Sequence, residues 1–328
     1  MKERDAILDR FSNARILVVG DLILDQYIWG KVSRISPEAP IPVVEVVRED
    51  FTLGGASNVA QNVRSLGAEV EVCGIVGEDT YGQMLLDTME EKQIDLHAVV
   101  QDPGRPTTLK TRIVAHKQQV VRVDREETMD PGPTIVEQLR SRIEERLPHV
   151  DAVILEDYGK GVIQDGLLKQ IVPMATRAGK IVTVDPKKDH FDFYKGVTAI
   201  TPNRAEAEQV SGIPITDTPS LYEAGKNLIE RLNCRMVLIT LGERGMSLFQ
   251  EGESPMEIPA RAREVFDVSG AGDTVIAIFT TALVVGATPR QAANISNTAG
   301  GLVVEKLGTA TITRAEVKKR MREEALHV

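Results

Sequence analysis

The sequence has little cysteine and no long hydrophobic run. Two cysteines, Cys73 and Cys234, occur among 328 residues, and they lie far apart, in or beside apolar segments. This pattern predicts buried free thiols, in keeping with the reducing cytoplasm. No stretch approaches the about 18 consecutive apolar residues of a membrane span, and residues 1–10 are too charged for an apolar signal segment. The sequence therefore predicts a cytoplasmic protein without a membrane partner.

The common nucleotide, metal and hydrolase motifs are missing as well. There is no GxxxxGK[ST] motif and no GxGxxG behind the first predicted strand. The five histidines show no metal-ligand spacing, and no GxSxG elbow is present. Acidic residues outnumber basic residues by 48 to 39, and the net charge of −9 argues against a nucleic-acid surface. P-loop, dinucleotide-fold, zinc and serine-hydrolase chemistry are therefore disfavoured.

Strand-like and helix-like segments alternate along most of the chain. This alternation predicts an α/β fold with a mostly parallel central sheet and helices on both faces. The predicted helices are 56–66, 82–92, 134–146, 164–177, 204–210, 221–232, 273–285, 289–307 and 314–324. The predicted strands of the main body are 15–20, 69–75, 152–156, 181–185, 199–201, 236–241 and 246–249. Ligands in such folds bind beyond the carboxyl ends of the strands.

A small β-lid is predicted from two segments, at about residues 27–50 and 107–125. Three prolines between residues 37 and 42 punctuate the first segment before a short strand at 43–47. Because proline is confined to sheet edges, this segment is predicted to leave the central sheet. The runs 109–115 and 120–124 alternate and predict a half-exposed hairpin. Unpaired lid edges seek partners, so a homodimer through the lid is a hypothesis.

The most informative segment is DVSGAGD at residues 267–273, which an apolar run follows at once. Gly270 and Gly272 leave backbone N–H groups unobstructed, and the positive end of the following helix points at the same spot. Asp273 could accept the proton of a hydroxyl that attacks a phosphoryl group. The segment suggests phosphoryl transfer to an alcohol, although such a turn is also common in purely structural settings.

Asn203 and Glu206 lie three residues apart on one predicted helical face. That spacing suits an amide and a carboxylate that hold the water shell of a magnesium ion. It also matches a capping box, in which Asn203 caps the helix and Glu206 reaches back to it. Taken alone, the two residues favour the cap.

Polar residues near the first strand and the first long helix suit a ligand with hydroxyl groups. Asp21 follows the first strand and could accept hydrogen bonds from a sugar, or serve as a turn or cap aspartate. Gly54 and Gly55 open a helix and would let a ligand approach the backbone closely. Asn58 could project its amide at the same ligand, but a loop-to-helix junction explains the glycines equally well.

Basic side chains on the lid and at strand ends could meet a phosphorylated substrate. The candidates are Lys110, Arg112 and Arg122 on the lid, and Lys160, Lys187 and Lys188 at strand ends. Most basic residues on strands are merely solvated, so each candidate is weak by itself.

In order along the chain, these pieces resemble the ribokinase-like (PfkB) family of sugar kinases. GGASN at residues 54–58 is similar to that family's first glycine signature, and DVSGAGD at 267–273 to its second. NRAE at residues 203–206 is similar to its N-x-x-E element. The resemblance runs from about residue 12 to about residue 320. It implies one ribokinase-like kinase domain over residues 1–328 that uses ATP and Mg²⁺.

The resemblance implies roles for individual residues. Asp273 would be the catalytic base, and the backbone of Gly270, Ala271 and Gly272 would form an anion hole for the transferred phosphate. The element for ATP and Mg²⁺ would comprise Asn203, Arg204, Ala205 and Glu206, with Thr240, Gly242 and Asn297 near the nucleotide. Sugar contacts would come from Asp21, Gly54, Gly55 and Asn58. Asp267 and Ser269 resemble positions that hold a monovalent cation, such as K⁺, in some relatives.

Three further stretches resemble, within that family, the heptose 7-phosphate kinases of ADP-heptose synthesis. They are SRISPEAPIPV at 33–43, QQVVRVD at 118–124 and EDYGKG at 156–161. This implies phosphorylation of D-glycero-β-D-manno-heptose 7-phosphate at its anomeric hydroxyl, on the way to lipopolysaccharide core sugars. The chain has no HxGH-type adenylyltransferase motif, so a separate nucleotidyltransferase is expected. The alternatives are a kinase for another sugar or a nucleoside, and a non-catalytic sugar- or nucleotide-binding regulator.

Overall fold

The computed structural model describes residues 2–116, 118–262, 264–306, 308 and 310–326. The helices are α1 (Lys2–Asp9), α2 (Ala56–Ser65), α3 (Thr80–Glu91), α4 (Pro133–Arg146), α5 (Asp165–Arg177), α6 (Arg204–Ser211), α7 (Thr218–Leu232), α8 (Ala271–Val284), α9 (Pro289–Val303) and α10 (Arg314–Leu326). The strands are β1 (Arg15–Gly20), β2 (Leu22–Ile35), β3 (Pro42–Gly55), β4 (Glu69–Cys73), β5 (Ile75–Gly77), β6 (Val100–Asp102), β7 (Thr108–Ala115), β8 (Gln118–Arg125), β9 (Ala152–Glu156), β10 (Ile181–Asp185), β11 (Ala199–Ile200), β12 (Met236–Thr240), β13 (Met246–Gln250) and β14 (Met256–Ile258). None of the helices so described is long and apolar enough to cross a bilayer.

The central sheet has eight strands in the order β14-β13-β12-β11-β10-β9-β1-β4. The strands from β12 to β4 run parallel, whereas β13 and β14 pair in antiparallel fashion at one edge. The predicted mostly parallel sheet is therefore confirmed. Strand β14 was not predicted, because three residues carry too short a pattern to stand out.

Side chains of the central strands are buried on both faces of the sheet. Leu17 and Val19 of β1 belong to a core formed with α4, α5, α6 and α7. Ile16 and Val18 belong to a second core, on the opposite face, formed with α2 and α3 and part of α8. A third core joins α1, α8, α9 and α10 to the β12–β14 end of the sheet. Strands covered on both sides give continuous apolar runs, which is why they were recognised from the sequence.

The lid is a four-stranded sheet in the order β3-β2-β7-β8. The predicted hairpin is present as β7 and β8. The prediction of one short strand at 43–47 was wrong, because β2 and β3 are strands of 14 residues each. Pro42 begins the edge strand β3, where a missing N–H is tolerated, and Pro37 and Pro40 lie in the connection. Pro37 and Pro40 therefore mark the turn between β2 and β3, whereas the sequence pattern indicated breaks that shorten a strand.

The apolar helix α8 lies in the interior and begins two residues before the predicted start. Gly270 precedes it in the left-handed region, with φ of 74°, where glycine meets no steric penalty. Residues from Asp273 to Ala282 are buried on every side of the helix, so its sequence is apolar all round. Met1, Leu307 and Val328, which bound predicted segments, lie outside the described residues. Cys73 and Cys234 are free and buried, as predicted.

Candidate active site

Polar side chains gather where the parallel strands of the central sheet end. Asp21 follows β1, Glu156 ends β9, Asp185 ends β10, and the first turn of α8 brings Asp273 to the same place. One carboxylate oxygen each of Glu156, Asp185 and Asp273 lies within 4.8 Å of the others. The carboxyl edge of the sheet is where ligands of such folds bind. We call these three residues the acidic trio.

Glu156 and Asp273 are buried and Asp185 is half-buried, and the charges of the acidic trio act on one another. Glu156 is 1% exposed and Asp273 5% exposed. Burial, and next the charge of Asp185, raise the pKa of Glu156 well above its usual range. Burial, and next the charge of Glu206, raise the pKa of Asp185 in the same way. Three carboxyl groups so close together need protons or a cation to offset their repulsion.

The Asp273 carboxyl group receives hydrogen bonds on both oxygens. Asn58 Nδ2 donates to Asp273 Oδ2 at 2.6 Å, and the Tyr158 hydroxyl donates to Asp273 Oδ1 at 3.3 Å. Burial raises the pKa of Asp273, and the two hydrogen bonds oppose that rise. The negative charge of Asp273, followed by burial, raises the pKa of Tyr158 well above its usual range, so this hydroxyl keeps its proton and donates. A raised pKa brings a carboxylate closer to the range of a useful general base.

The glycine turn before α8 faces the acidic trio. A Cβ atom at Gly272 would lie 3.2 Å from Asp185 Oδ2, so the Asp185 carboxyl group lies against the first turn of α8. The backbone N–H groups at Gly270, Ala271 and Gly272 belong to the positive end of a helix of 14 residues. Their use as an anion hole stays a prediction.

Asn203 and Glu206 form a capping box at the start of α6. Asn203 Oδ1 accepts from the Glu206 N–H at 3.0 Å, and Glu206 Oε2 accepts from the Asn203 N–H at 2.8 Å. The predicted capping box is thus present. It does not exclude a role for Glu206 at a magnesium ion, since the charge of Glu206 raises the pKa of Asp185. Glu206 therefore lies close enough to act on the acidic trio. Arg204 pairs with Glu208 at 2.9 Å, and Ala205 is exposed.

The predicted nucleotide contacts lie at the end of β12, just after it, and on α9. Thr240 ends β12 and forms an isolated bridge with Asn203, which places it beside the capping box. Gly242 has φ of 59°, and no atom would lie within 4 Å of a Cβ there, so it borders open space. Asn297 is 4% exposed and donates its amide to the Pro259 carbonyl at 2.7 Å. Nucleotide binding by these residues stays a prediction.

Asp21 holds a loop in place. It is 2% exposed, and its carboxylate accepts the N–H groups of Tyr158, Lys160 and Val162 at 2.9, 3.0 and 3.2 Å. Burial raises the pKa of Asp21 to about 6. The Asp21 carboxylate thus bonds a loop far away in the sequence rather than its own turn or the start of a helix, and a direct sugar contact stays a prediction.

Gly54 and Gly55 allow β2 and β3 to approach each other. A Cβ at Gly54 would lie 2.6 Å from Asp25 Oδ2, and one at Gly55 would lie 2.4 Å from the Asp21 carbonyl oxygen. Gly55 also has φ of 54°, which an L side chain rarely adopts. The glycines are thus needed for packing, whatever their part in binding.

Three of the predicted phosphate-binding cations already have acidic partners, among them Arg122, which pairs with Asp124 at 2.9 Å. Arg112 pairs with Asp25 at 2.6 Å, and Lys160 pairs with Glu126 at 2.6 Å. Lys187 lies near Glu206: burial raises the pKa of Glu206 overall, and the charge of Lys187 counters part of that rise. Their contact with a substrate phosphate stays a prediction.

Asp267 is held by backbone N–H groups. Ser269 donates to Asp267 Oδ1 at 2.9 Å and Gly308 donates to Oδ2 at 3.0 Å. Burial acts to raise the pKa of Asp267, but these hydrogen bonds outweigh it and the pKa is lowered. A charged carboxylate in this place is compatible with the predicted monovalent cation, which nothing in the described residues tests.

No role was assigned from the sequence to four side chains of the site, Glu156, Asp185, Asp25 and Tyr158. Glu156 and Asp185 end predicted strands, and that position was the signal available for them. Tyr158 lies in the EDYGKG stretch at 156–161, whereas Asp25 gave no local signal. The proximity of both residues to Asp273 is created by the fold.

The acidic trio fits a divalent cation such as Mg²⁺. Glu156 Oε2 is buried and has no hydrogen-bond partner among the described residues. An unpartnered buried carboxylate oxygen is costly unless a ligand completes it. Mg²⁺ prefers oxygen ligands and usually takes one or two carboxylates together with water and phosphate oxygens.

Comparison with known proteins agrees with this geometry. The model of the pfkB family carbohydrate kinases matches residues 13–316. The chain is 45% identical over 316 residues to the bifunctional protein HldE of Desulfatibacillum aliphaticivorans, and 44% identical over 318 residues to that of Geobacter sulfurreducens. Each match covers 96% of this chain, which in turn spans 65% of the relative's length.

Solved structures share the fold at low sequence identity. Arabidopsis thaliana ribokinase, solved with ribose and ATP, has a TM-score of 0.75 at 21% identity, covering 94% of this chain and 99% of that one. Phosphofructokinase-2 from Escherichia coli, in complex with potassium, has a TM-score of 0.78 at 18% identity, covering 95% and 99%. The fold is thus ribokinase-like, as the sequence predicted. With its match to the family model over residues 13–316, the chain belongs to the pfkB family of carbohydrate kinases.

Proposed function

We propose that this sugar kinase phosphorylates the anomeric hydroxyl of D-glycero-β-D-manno-heptose 7-phosphate with ATP, giving the 1,7-bisphosphate. The identity with HldE proteins, at 40% or more, supports a role in heptose synthesis. The observation that carries the chemistry is the buried Asp273 at the start of α8, with donors on both of its oxygens. We also propose that the kinase forms one domain that includes the lid.

In the proposed reaction, Asp273 accepts the proton of the anomeric hydroxyl while the anomeric oxygen of the sugar bonds to the γ-phosphorus of ATP. The bond between that phosphorus and the bridging oxygen breaks, and ADP leaves with the electron pair. The N–H groups of Gly270, Ala271 and Gly272 receive the charge of the transferred group. Phosphoryl transfer has a loose transition state, so alignment and charge neutralisation supply most of the catalysis.

Glu156 and Asp185 would hold Mg²⁺ in this scheme, with Glu206 acting through water. The cation supplies neutralisation of phosphate charge. In this scheme the ATP would be bordered by Asn203, Thr240, Gly242 and Asn297. Asp267 with Ser269 is the proposed position for K⁺, since its lowered pKa keeps the carboxylate charged.

The function is tested by ADP release with a panel of acceptors. D-glycero-D-manno-heptose 7-phosphate is compared with fructose 6-phosphate, ribose and a nucleoside at equal ATP and Mg²⁺ concentrations. We expect the highest kcat/KM with the heptose phosphate. Higher kcat/KM with another acceptor would identify a kinase of a different sugar or nucleoside. Binding without ADP release across the panel would indicate a non-catalytic regulator.

We further propose a homodimer through the lid. Strands β3 and β8 are the edges of the lid sheet, and several of their valines are well exposed, among them Val47 at 66% and Val123 at 52%. Exposed apolar strand edges favour pairing with a second copy. Light scattering that shows a monomer at working concentration would refute the dimer. We also propose that a separate nucleotidyltransferase acts in the same pathway.

A further inference from the structure

We infer that Tyr158 is a positioning residue for the proposed base: with Asn58, it fixes the plane of the Asp273 carboxylate so that one oxygen faces the acceptor hydroxyl. The inference rests on the proposed function, because it assumes that Asp273 takes the proton. Tyr158 lies in the loop after β9, and no role had been assigned to its side chain.

The contacts at Asp273 place one donor on each oxygen. Asn58, from α2, donates to Oδ2 at 2.6 Å, and Tyr158, from the loop after β9, donates to Oδ1 at 3.3 Å. The final torsion of an aspartate side chain is intrinsically broad, so packing or hydrogen bonds must define the carboxylate plane. Donors from two separate elements restrict rotation about the Cβ–Cγ bond. Each carboxylate oxygen accepts about two hydrogen bonds, so Oδ1 keeps one site for the substrate hydroxyl.

The Tyr158 hydroxyl can serve as a fixed point because its loop is anchored. The Tyr158 N–H is one of three that Asp21 accepts, and the Gly159 N–H donates to Asp157 Oδ1 at 2.8 Å. Asp157 Oδ2 in turn accepts the Tyr194 hydroxyl at 2.6 Å. A side chain whose own supports are fixed can hold a neighbour within the narrow tolerance that catalysis needs.

The surroundings of Asp273 make such support necessary. Glu156 and Asp185 approach it within 4.8 Å, and the charge of Asp25 also raises its pKa. Repulsion from these neighbouring acids tends to turn the Asp273 carboxylate away from them, so donors are needed to hold its orientation. On the lid side, the Lys110 ammonium lies 4.8 Å from the centre of the Tyr158 ring and holds the ring by a cation–π contact.

The test is Tyr158→Phe, which keeps the ring and removes the hydroxyl. We expect kcat for sugar phosphorylation to fall about 10- to 100-fold, because small misplacement of a reacting group costs that much. KM for ATP and for the sugar should stay within about twofold. Tyr222→Phe is the matched control, since its hydroxyl also donates to a carboxylate, Glu257, at 3.2 Å, and its ring is half-buried on α7. We expect it to leave both constants unchanged.

A second measurement separates positioning from structural and independent effects. If Tyr158 acts through Asp273, Tyr158→Phe should cause little further loss of kcat in an Asp273→Asn enzyme. A loss that persists in full in that background, a change confined to KM, or an unchanged kcat would overturn the inference. Thermal unfolding of each variant shows whether the fold is retained. If Asp273→Asn itself is fully active, the proposed base fails, and this outcome is distinct from failure of the Tyr158 inference.

Discussion

Both ends of the central sheet carry acidic residues, but the two ends differ in how these acids are paired. At the amino end, Arg15 pairs with Asp151 at 2.9 Å, and beside it Arg146 pairs with Glu71 of the edge strand β4 at 2.6 Å. At the carboxyl end, the acidic trio forms no ion pair with a lysine or arginine among the described residues. Paired charges can support the fold, whereas buried unpaired acids cost stability. The difference supports the proposal that the carboxyl end binds a cation and a substrate.

The largest expected effect comes from removing the proposed base while keeping its shape. Asp273→Asn should lower kcat by more than about 100-fold, because the amide cannot take a proton, while ATP binding is largely retained. Asp151→Asn makes the same change at the amino end and should leave kcat within about twofold. Steady-state ADP release and ATP titration measure both. Comparable losses of kcat in the two variants would contradict the assignment of catalysis to the carboxyl end of the sheet.

A second pair of variants tests the acidic trio as a cation site. Glu156→Gln should raise the Mg²⁺ concentration for half-maximal activity about tenfold, because a neutral amide attracts the cation less than a carboxylate. The free energy of unfolding of the ligand-free protein should not fall, since a costly buried group has been neutralised. Magnesium titration of activity and urea unfolding provide the two measurements.

Glu71→Gln is the matched variant at the amino end. It removes the carboxylate that accepts from Arg146 at 2.6 and 2.7 Å, and should lower the free energy of unfolding by about 1–3 kcal/mol. Its magnesium requirement should be that of the unchanged protein. A stability loss in Glu156→Gln as large as in Glu71→Gln would mean that the trio is a structural element like the amino-end pairs.

The smallest expected effect concerns two helix caps. Asn203→Ala and Asp217→Ala each remove a capping box, at α6 and α7, and should each cost about 1 kcal/mol of stability. Asn203 follows the carboxyl end of β11, beside Thr240, so its loss should also raise KM for ATP several-fold. Asp217→Ala should leave that KM unchanged. Equal KM values for ATP in the two variants would mean that Asn203 only caps α6 and takes no part in ATP binding.

Features that are defined by residues close together in the sequence were recognised from the sequence alone. The DVSGAGD turn, the apolar helix behind it and the Asn203–Glu206 spacing are each defined within a few residues. Both alternatives for Asn203 were predicted, and the capping box proved to be present. The parallel strands were recognised because burial on both faces leaves a continuous apolar run. The length of β2 and β3 was misjudged, because pairing between strands outweighs the proline signal in their connection.

The sequence by itself determined the family, the α/β architecture and the segment that carries Asp273, because these are local patterns of residue type and spacing. The tertiary structure alone decided what surrounds Asp273. Asn58 and Tyr158 are 215 and 115 residues away along the chain, and both donate to its carboxyl group. Glu156 and Asp185 join it because neighbouring parallel strands end at one edge of the sheet. Burial and proximity set the properties of a carboxyl group, and both arise when distant segments pack together.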